Sequence, residues 1–237
     1  MQALFSQKIL LSLLISDIIM RIMARKKTAG PIQTLGMTGT TWRFFVAAVD
    51  LFSSRGYGCV SIRDIAGTLN IKAASMYNHF GSKDELLTKI YDFCEQHFEN
   101  IIVNLDNLVE LVPTTPPQEI FKKYFSYFGD EIYGLGLYEL MPKVMKIVLE
   151  EASHDERAEK LAVKLYHTYP KLYLKPVIEK MLELDLIEPI DVDLFISLYN
   201  SLELSGSYAH GSQLAISAKN WLRCRTLLFS LVREKNK

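Results

Sequence analysis

Residues 61–87 read SIRDIAGTLNIKAASMYNHFGSKDELL. Ser61 stands before Ile62, Ile65, Ala66 and Leu69, whose i, i+3, i+4, i+7 spacing marks one face of a helix. Ser61 is a good N-cap, and Asp64 three residues on resembles a shortened capping box. Small Ala66 suits a close helix crossing. Asn70 falls where this helix must stop, and asparagine enters the left-handed conformation more readily than most residues bearing a side chain. A second helix is predicted over about 72–80, with Ile71, Met76 and Phe80 inward. Its outward residues are Lys72, Ala73, Ser75, Tyr77, Asn78 and His79. Gly81 ends it, and Ser82 caps a further helix whose first turn holds Lys83, Asp84 and Glu85. The acids suit the positive end of that helix dipole.

Two short helices joined by a tight turn form a helix-turn-helix unit, which lays its second helix in the DNA major groove. Ala73, Ala74 and Ser75 are small enough to let the helix front approach base edges. Tyr77, His79 and Lys83 are long polar groups suited to phosphate oxygens. Such helix pairs also occur in proteins that never touch DNA, so the spacing alone leaves the function open. More specific is the run Ile65-Ala66, then Met76-Tyr77-Asn78-His79-Phe80, then Ser82-Lys83-Asp84-Glu85-Leu86-Leu87. It resembles the DNA-binding domain of the TetR/AcrR family of bacterial regulators. The resemblance extends upstream through Phe44 to Ala48, Leu51-Phe52 and Gly56-Tyr57, and covers about residues 40–87. The sequence departs from the family at Asn70, where glycine is usual, and at Lys72, where serine or threonine is usual. Lys72 removes a capping hydroxyl and adds a cation able to reach a phosphate or a guanine, or to stay in solvent.

The resemblance implies an all-α fold, with an N-terminal three-helix helix-turn-helix domain and a larger helical ligand-binding and dimerisation domain. It implies a DNA-binding regulator whose Lys72, Ala73, Ser75 and Asn78 face bases. Ser61, Tyr77, His79 and Lys83 would then hold phosphates. Tyr77 and His79 can instead be partly buried packing residues. The corresponding domains are 37–88 for DNA binding and 89–237 for the effector and the dimer, with an extension and basic arm at 1–36.

The composition is that of an ordinary folded protein, with 49% hydrophobic and 23% charged residues. A formal net charge of zero looks wrong for a DNA binder until it is divided along the chain. Residues 23–90 hold nine Lys or Arg against four Asp or Glu, a net of +5, whereas 91–237 hold sixteen against twenty-two, a net of −6. The positive end coincides with the helix-turn-helix unit, as a phosphate-binding surface requires. The three cysteines, Cys59, Cys94 and Cys224, have no metal-site or disulfide spacing and fit a reducing cytoplasm.

Residues 9–20, ILLSLLISDIIM, are apolar and follow Lys8. Asp17 interrupts them, no small-residue cleavage site follows, and they are short for a membrane span. Met23-Ala24-Arg25-Lys26-Lys27 looks like an ordinary family start with a basic arm, so residues 1–22 are read as upstream codons outside the native protein. The alternatives are an amphipathic segment packed on the body and a membrane-associated sensor anchored through 9–20.

Thr40 or Thr41 can cap a helix reaching about Ser54, with Phe45, Ala48, Val49 and Phe52 inward. A long amphipathic helix is predicted from Ser82 to about Leu111, where Pro113 and the Pro116-Pro117 pair end it. Further helices are expected at about 117–133, 137–152, 155–184, 191–209 and 214–234, with Pro170 and Pro176 distorting the third. The body is rich in aromatics. Tyr124, Phe128, Tyr166, His167 and Tyr173 are candidate contacts for an unknown small-molecule effector. The apolar residues of the last two helices suit a homodimer, whose two-fold axis matches a palindromic operator in double-stranded DNA. No phosphate-binding glycine loop, HExxH or G-x-S-x-G is present, so no enzyme, cofactor or metal is expected. His154-Asp155-Glu156 is read as a helix cap rather than a metal cluster.

Overall fold

The structure, a computed structural model, describes residues 36–37, 39–105, 108–121, 123–124, 140–208 and 218–235. The N-terminal extension, including residues 9–20 and the basic arm, lies outside the described residues. Among those described, no helix is long and apolar enough to cross a membrane.

The fold is all-α. Helix α1 spans Gly39–Arg55 and buries Phe44, Phe45, Ala47, Ala48, Val49, Phe52 and Ser53. It begins ahead of the expected cap, and the Thr41 hydroxyl is engaged elsewhere, at His79. Gly56 follows with φ 81°, a left-handed turn that glycine enters without steric penalty. A short 3₁₀ turn, Tyr57–Cys59, leads to α2, Ile62–Thr68.

The start of α2 is capped as its sequence predicts. Ser61 Oγ accepts from the Asp64 backbone N–H at 3.2 Å, and the Asp64 carboxylate accepts from the Ser61 N–H at 2.7 Å. These reciprocal bonds satisfy two donors that a helix start leaves unpaired. The end of α2 is equally local in origin. Asn70 adopts φ 56°, Ile71 N–H bonds to Ala66 C=O and Asn70 N–H to Gly67 C=O, both at 3.1 Å. This is a Schellman closure around a left-handed residue. Asn70→Val is expected to lower stability by about 1–2 kcal/mol, because a branched side chain clashes in that conformation. Asn70→Gly should stay within about 0.5 kcal/mol of the parent in urea unfolding.

The second helix of the pair differs from its prediction. It covers Ala73–Asn78 in 3₁₀ geometry rather than an α-helix over 72–80. Lys72 provides no side-chain cap, so the Ser75 N–H turns back to the Lys72 carbonyl at 2.9 Å. An i→i+3 bond of that kind tightens the turn into 3₁₀ form. Met76 and Phe80 are buried and Ile71 packs against the core, as the spacing predicts.

Helix α3 runs Lys83–Leu105 and a short α4 covers Leu108–Leu111, followed by a 3₁₀ turn at Val112–Thr114. The chain is thus helical on either side of residues 106–107, which lie outside the described residues, and the helical stretch reaches Leu111 as expected. Residues 117–121 and 123–124 are helical. Helix α5 spans Leu140–Glu151. A rod then runs through α6, Glu156–Val163, two π-helical segments, Lys164–Thr168 and Pro170–Leu174, and α7, Lys175–Glu183. Pro170 and Pro176 lack an N–H and crowd the carbonyl four residues back, and widening to the π form relieves both. Asp155 caps this rod, accepting from Arg157 N–H at 2.8 Å and Ala158 N–H at 3.2 Å. Helices α8, Val192–Tyr208, and α9, Ala218–Phe229, complete the fold.

Helix α5 is the hub. It packs on α1 of the N-terminal unit, on α3, and on α6 and α8 of the body. Its Val144, Ile147 and Val148 are buried. Lys143 bonds across the junction to Asp50 of α1 at 2.6 Å. Beside it, Trp42, Phe45 and Phe93 form a ring cluster with centroids 5.1 to 6.0 Å apart. Aromatic pairs at such separations add about 0.5–1.5 kcal/mol beyond area burial. Arg157 reaches Asp92 at 2.6 Å, and Lys164 reaches Glu95 at 2.8 Å, fastening α3 to the rod. Burial alone would raise the Asp92 carboxyl, but hydrogen bonds from Arg157 and Lys89 outweigh it and hold it below the usual carboxylate range.

Candidate nucleic-acid interface

The helix Ala73–Asn78 presents Lys72, Ala74, Tyr77 and Asn78 to solvent, while Ala73, Ser75 and His79 are half-buried. Ala73 packs against the hydrophobic core. Ala74, read as one of the small front residues but not as a base contact, is the small residue on the open face. A 3₁₀ turn carries 3.0 residues rather than 3.6, which rotates the front of the helix away from an α-helical projection. Tyr77 is 57% exposed. Packing therefore does not explain this ring, and its hydroxyl is free to reach outward.

His79 is held on two sides. Its Nδ1 lies 2.8 Å from Thr41 Oγ1, and its ring leans on Phe44 with centroids 5.6 Å apart. Ser61 is exposed at the start of α2, where its hydroxyl also lies 2.6 Å from the Asp64 carboxylate. Asp64 is held below the ordinary carboxylate range, chiefly by that side-chain bond and the Ser61 N–H.

Lys83 opens α3 and folds back on the preceding turn. Its Nζ donates to the Tyr57 and Val60 carbonyls, each at 3.0 Å, and lies 3.9 Å from the centre of the Tyr57 ring. The Tyr57 hydroxyl in turn bonds to Asp84. Burial and the Asp84 carboxylate push the Tyr57 phenol well above its usual range, so it stays a donor. Glu85 accepts from the Gly81 N–H at 2.7 Å, and Ser82 Oγ accepts from the Glu85 N–H at 2.9 Å. A Cβ on Gly81 would lie 2.9 Å from Glu85 Oε2, the end of a flexible side chain that can swing aside, and Gly81 does not take a left-handed φ. Arg43 and Arg63 are further exposed cations, on α1 and α2. Arg63 is two positions before buried Ile65, so a helical projection of α2 would have found it.

In the body, Tyr124 and Tyr166 are buried, Tyr173 is half-buried with its ring centroid 6.0 Å from that of Tyr169, and Phe128 lies outside the described residues. His167 is exposed, with its Nε2 3.2 Å from Lys171 Nζ. The Tyr124 and Tyr199 hydroxyls approach to 3.4 Å, and burial pushes the Tyr124 phenol up to about 12. Close by, Glu203 of α8 pairs with Arg225 of α9 at 3.3 Å. Sequence reading passed over Tyr199, Glu203 and Arg225. The available signal was Glu203, the one charged residue in the otherwise uncharged run from Leu194 to Ser217.

Residues 44–90 match the family model of the bacterial regulatory proteins, tetR family. The negative transcriptional regulator IcaR of the biofilm operon icaADBC, from Staphylococcus aureus strain Newman, is 40% identical over 60 residues. That match covers 25% of this chain and 32% of IcaR, about a third of the relative's length. The fold extends further than the sequence match. The ketosteroid transcriptional regulator KstR2 of Mycobacterium tuberculosis superposes with a TM-score of 0.61 at 17% identity, covering 84% of this chain and 97% of KstR2. The TetR family regulator PfmR of Thermus thermophilus superposes with a TM-score of 0.55 at 17% identity, covering 82% and 100%.

Capped α2, the left-handed turn at Asn70 and an outward-facing second helix define a helix-turn-helix DNA-binding domain. Over residues 44–90 it matches the model of the bacterial regulatory proteins, tetR family. The fold is shared with the transcriptional regulators KstR2 and PfmR.

Proposed function

We propose that this protein is a sequence-specific transcriptional regulator that represses its operator and is released from it by a small-molecule ligand. The observation that carries this reading is the front of the second helix. Lys72, Ala74, Tyr77 and Asn78 face solvent while Met76 and Phe80 anchor the helix from behind. Residues 37–88 form the reading unit and 89–237 the effector-binding and dimerisation body. Lys72, Ser75 and Asn78, with exposed Ala74 in place of core-packed Ala73, serve the bases, and Ser61, Tyr77, His79 and Lys83 the phosphates. The role of IcaR as a negative regulator supports repression over activation. The reading places the protein in the cytoplasm, with its operator.

The protein works as a homodimer through α8 and α9. On α8, Leu194, Leu198 and Leu204 are 55, 44 and 41% exposed, and on α9 and just beyond it Leu227 and Leu231 are 66 and 49% exposed. Burying a leucine fully is worth about 1.5–3 kcal/mol, so this face favours a partner. A second copy related by a two-fold axis covers the patch with itself and sets two reading heads against a palindrome. Helix α3 starts in the reading unit and continues into the body. A ligand contacting Tyr124, Phe128, Tyr166, His167 or Tyr173 would act by preferring one setting of α3, and differential affinity supplies the energy.

The test is fluorescence anisotropy of the purified chain with duplexes tiling the region around its own gene, at two salt concentrations. Tight binding to one palindromic duplex, with two subunits per site, supports the reading. Weak, salt-sensitive binding to every duplex alike sinks it. Tyr77→Phe should weaken all sequences by a similar factor and leave the salt slope unchanged, because a neutral phenol releases no counterion. A base contact by Lys72 predicts that Lys72→Ala relaxes discrimination at one position, by about 1–3 kcal/mol. If neither change alters binding, the reading helix is wrongly placed.

A further inference from the structure

Thr41 and His79 stand 38 positions apart in the chain and meet where the start of α1 crosses the end of the reading helix. The bond between Thr41 Oγ1 and His79 Nδ1 is 2.8 Å long, and the ring lies tilted against fully buried Phe44, centroids 5.6 Å apart. Nδ1 and Nε2 lie on opposite edges of an imidazole. With Nδ1 turned inward to Thr41, Nε2 faces the other way. The residue is half-buried, and Nε2 is not among the buried polar atoms lacking a partner, so that edge remains accessible to solvent.

A neutral imidazole carries one N–H, and its neighbours select which nitrogen holds it. A phosphate oxygen only accepts. If Nδ1–H donated to Thr41, Nε2 would present a lone pair to the phosphate and repel it. If the Thr41 hydroxyl donates to Nδ1, the proton sits on Nε2 and points outward. A threonine hydroxyl can play either part by rotating about its C–O bond, so a docking phosphate can select the second arrangement without moving either side chain.

We propose that Thr41 is a positioning residue for DNA: its hydroxyl donates to His79 Nδ1 and thereby fixes an outward Nε2–H that bonds a backbone phosphate. The inference rests on the DNA-binding reading above and deepens it. It also places a contribution to operator affinity on α1, outside the helix-turn-helix pair. A phosphate contact carries no base information, so the contribution is equal for all sequences.

Operator affinity of Thr41→Val, Thr41→Ser, His79→Phe and the Thr41→Val/His79→Phe pair tests this. A hydrogen bond to a charged group is strong, and its misalignment should weaken operator binding about five- to tenfold in Thr41→Val. Thr41→Ser keeps the hydroxyl and should stay within about twofold of the parent. The double variant should bind no more weakly than His79→Phe alone, because both changes remove one contact. Ring-nitrogen spectra of the operator complex at about pH 8, where an ordinary imidazole is neutral, should show His79 protonated at Nε2 and bare at Nδ1. Parent-like affinity in Thr41→Val, a defect in Thr41→Ser equal to that of valine, an additive double variant, or a proton on Nδ1 would each overturn the inference while leaving DNA binding intact. Failure of the unmodified chain to bind any duplex tightly would overturn the DNA-binding reading, and this inference with it.

Discussion

Glu203→Ala is expected to lower the stability of the folded chain by about 2–4 kcal/mol, and Arg225→Leu by a similar amount. Their side chains meet at 3.3 Å between α8 and α9, with 21% of Glu203 and 15% of Arg225 exposed. Burial raises the Glu203 carboxyl above its ordinary range, against the opposing pull of Arg225. Burial likewise works against the Arg225 charge, but Glu203 together with Tyr199 and Tyr124 outweighs it and keeps the guanidinium protonated. Removing one member leaves the other as an uncompensated buried charge, which costs about 3–5 kcal/mol when burial is complete. The residual exposure trims that figure. Replacing both by leucine removes the charges together and should recover most of the loss. Urea unfolding at one fixed protein concentration measures it, since a dimer's stability depends on concentration. Single variants within about 0.5 kcal/mol of the parent would show that the pair is solvated and adds no more than a surface bridge.

The second large effect is a loss of stability in mild acid centred on His97. This residue sits on α3 with 5% exposure, stacked on Phe93 at 6.5 Å and edge-on to Phe98 at 6.1 Å. Its Nε2 is buried without a hydrogen-bond partner. Burial lowers its pKa from the ordinary 6.5 to about 4. The folded value lies below the unfolded one, so between them the unfolded chain binds the extra proton. Its contribution is therefore fully present above about pH 6.5 and declines as pH falls towards 4. About 3 kcal/mol is at stake across that window, at about 1.36 kcal/mol per pH unit. His97→Phe keeps an aromatic ring in the stack and cannot titrate, so the variant should lose less stability between about pH 7 and 4.5. Carboxylates such as Asp92 titrate in both proteins, and the difference between them isolates the histidine. Parallel pH profiles would show that His97 meets water or a partner in solution. Phe93 touches Phe45 and Trp42 of α1, so protonation at this point loosens the junction that carries the reading unit.

Much of the candidate interface was legible because its causes are short-ranged. The Ser61–Asp64 box, the left-handed Asn70 and the inward Met76 and Phe80 each follow from residues within a turn or two. Tyr77 was legible only as a choice between packing and contact, and its 57% exposure decides against packing. Lys83 was readable as a cation near DNA but not as a tether of the Tyr57–Val60 turn, because those carbonyls lie more than twenty residues away. Ala73 and Ala74 exchanged places for a subtler reason. The outward face was projected for an α-helix, and the 3₁₀ winding that follows an uncapped Lys72 turns a different side outward.

From the sequence by itself come the helical class, the capped helix-turn-helix pair, the positive charge gathered at that end, and helices near 140–151, 156–183 and 192–208. All depend on periodicity, capping and backbone preference, which operate within one element. The tertiary structure alone decided that α5 joins the reading unit to the body, that Glu203 meets Arg225, and that Thr41 holds His79. Each requires two surfaces far apart in the chain to be brought face to face. Which surfaces meet is set by the packing of the whole core, not by the residues of any one helix.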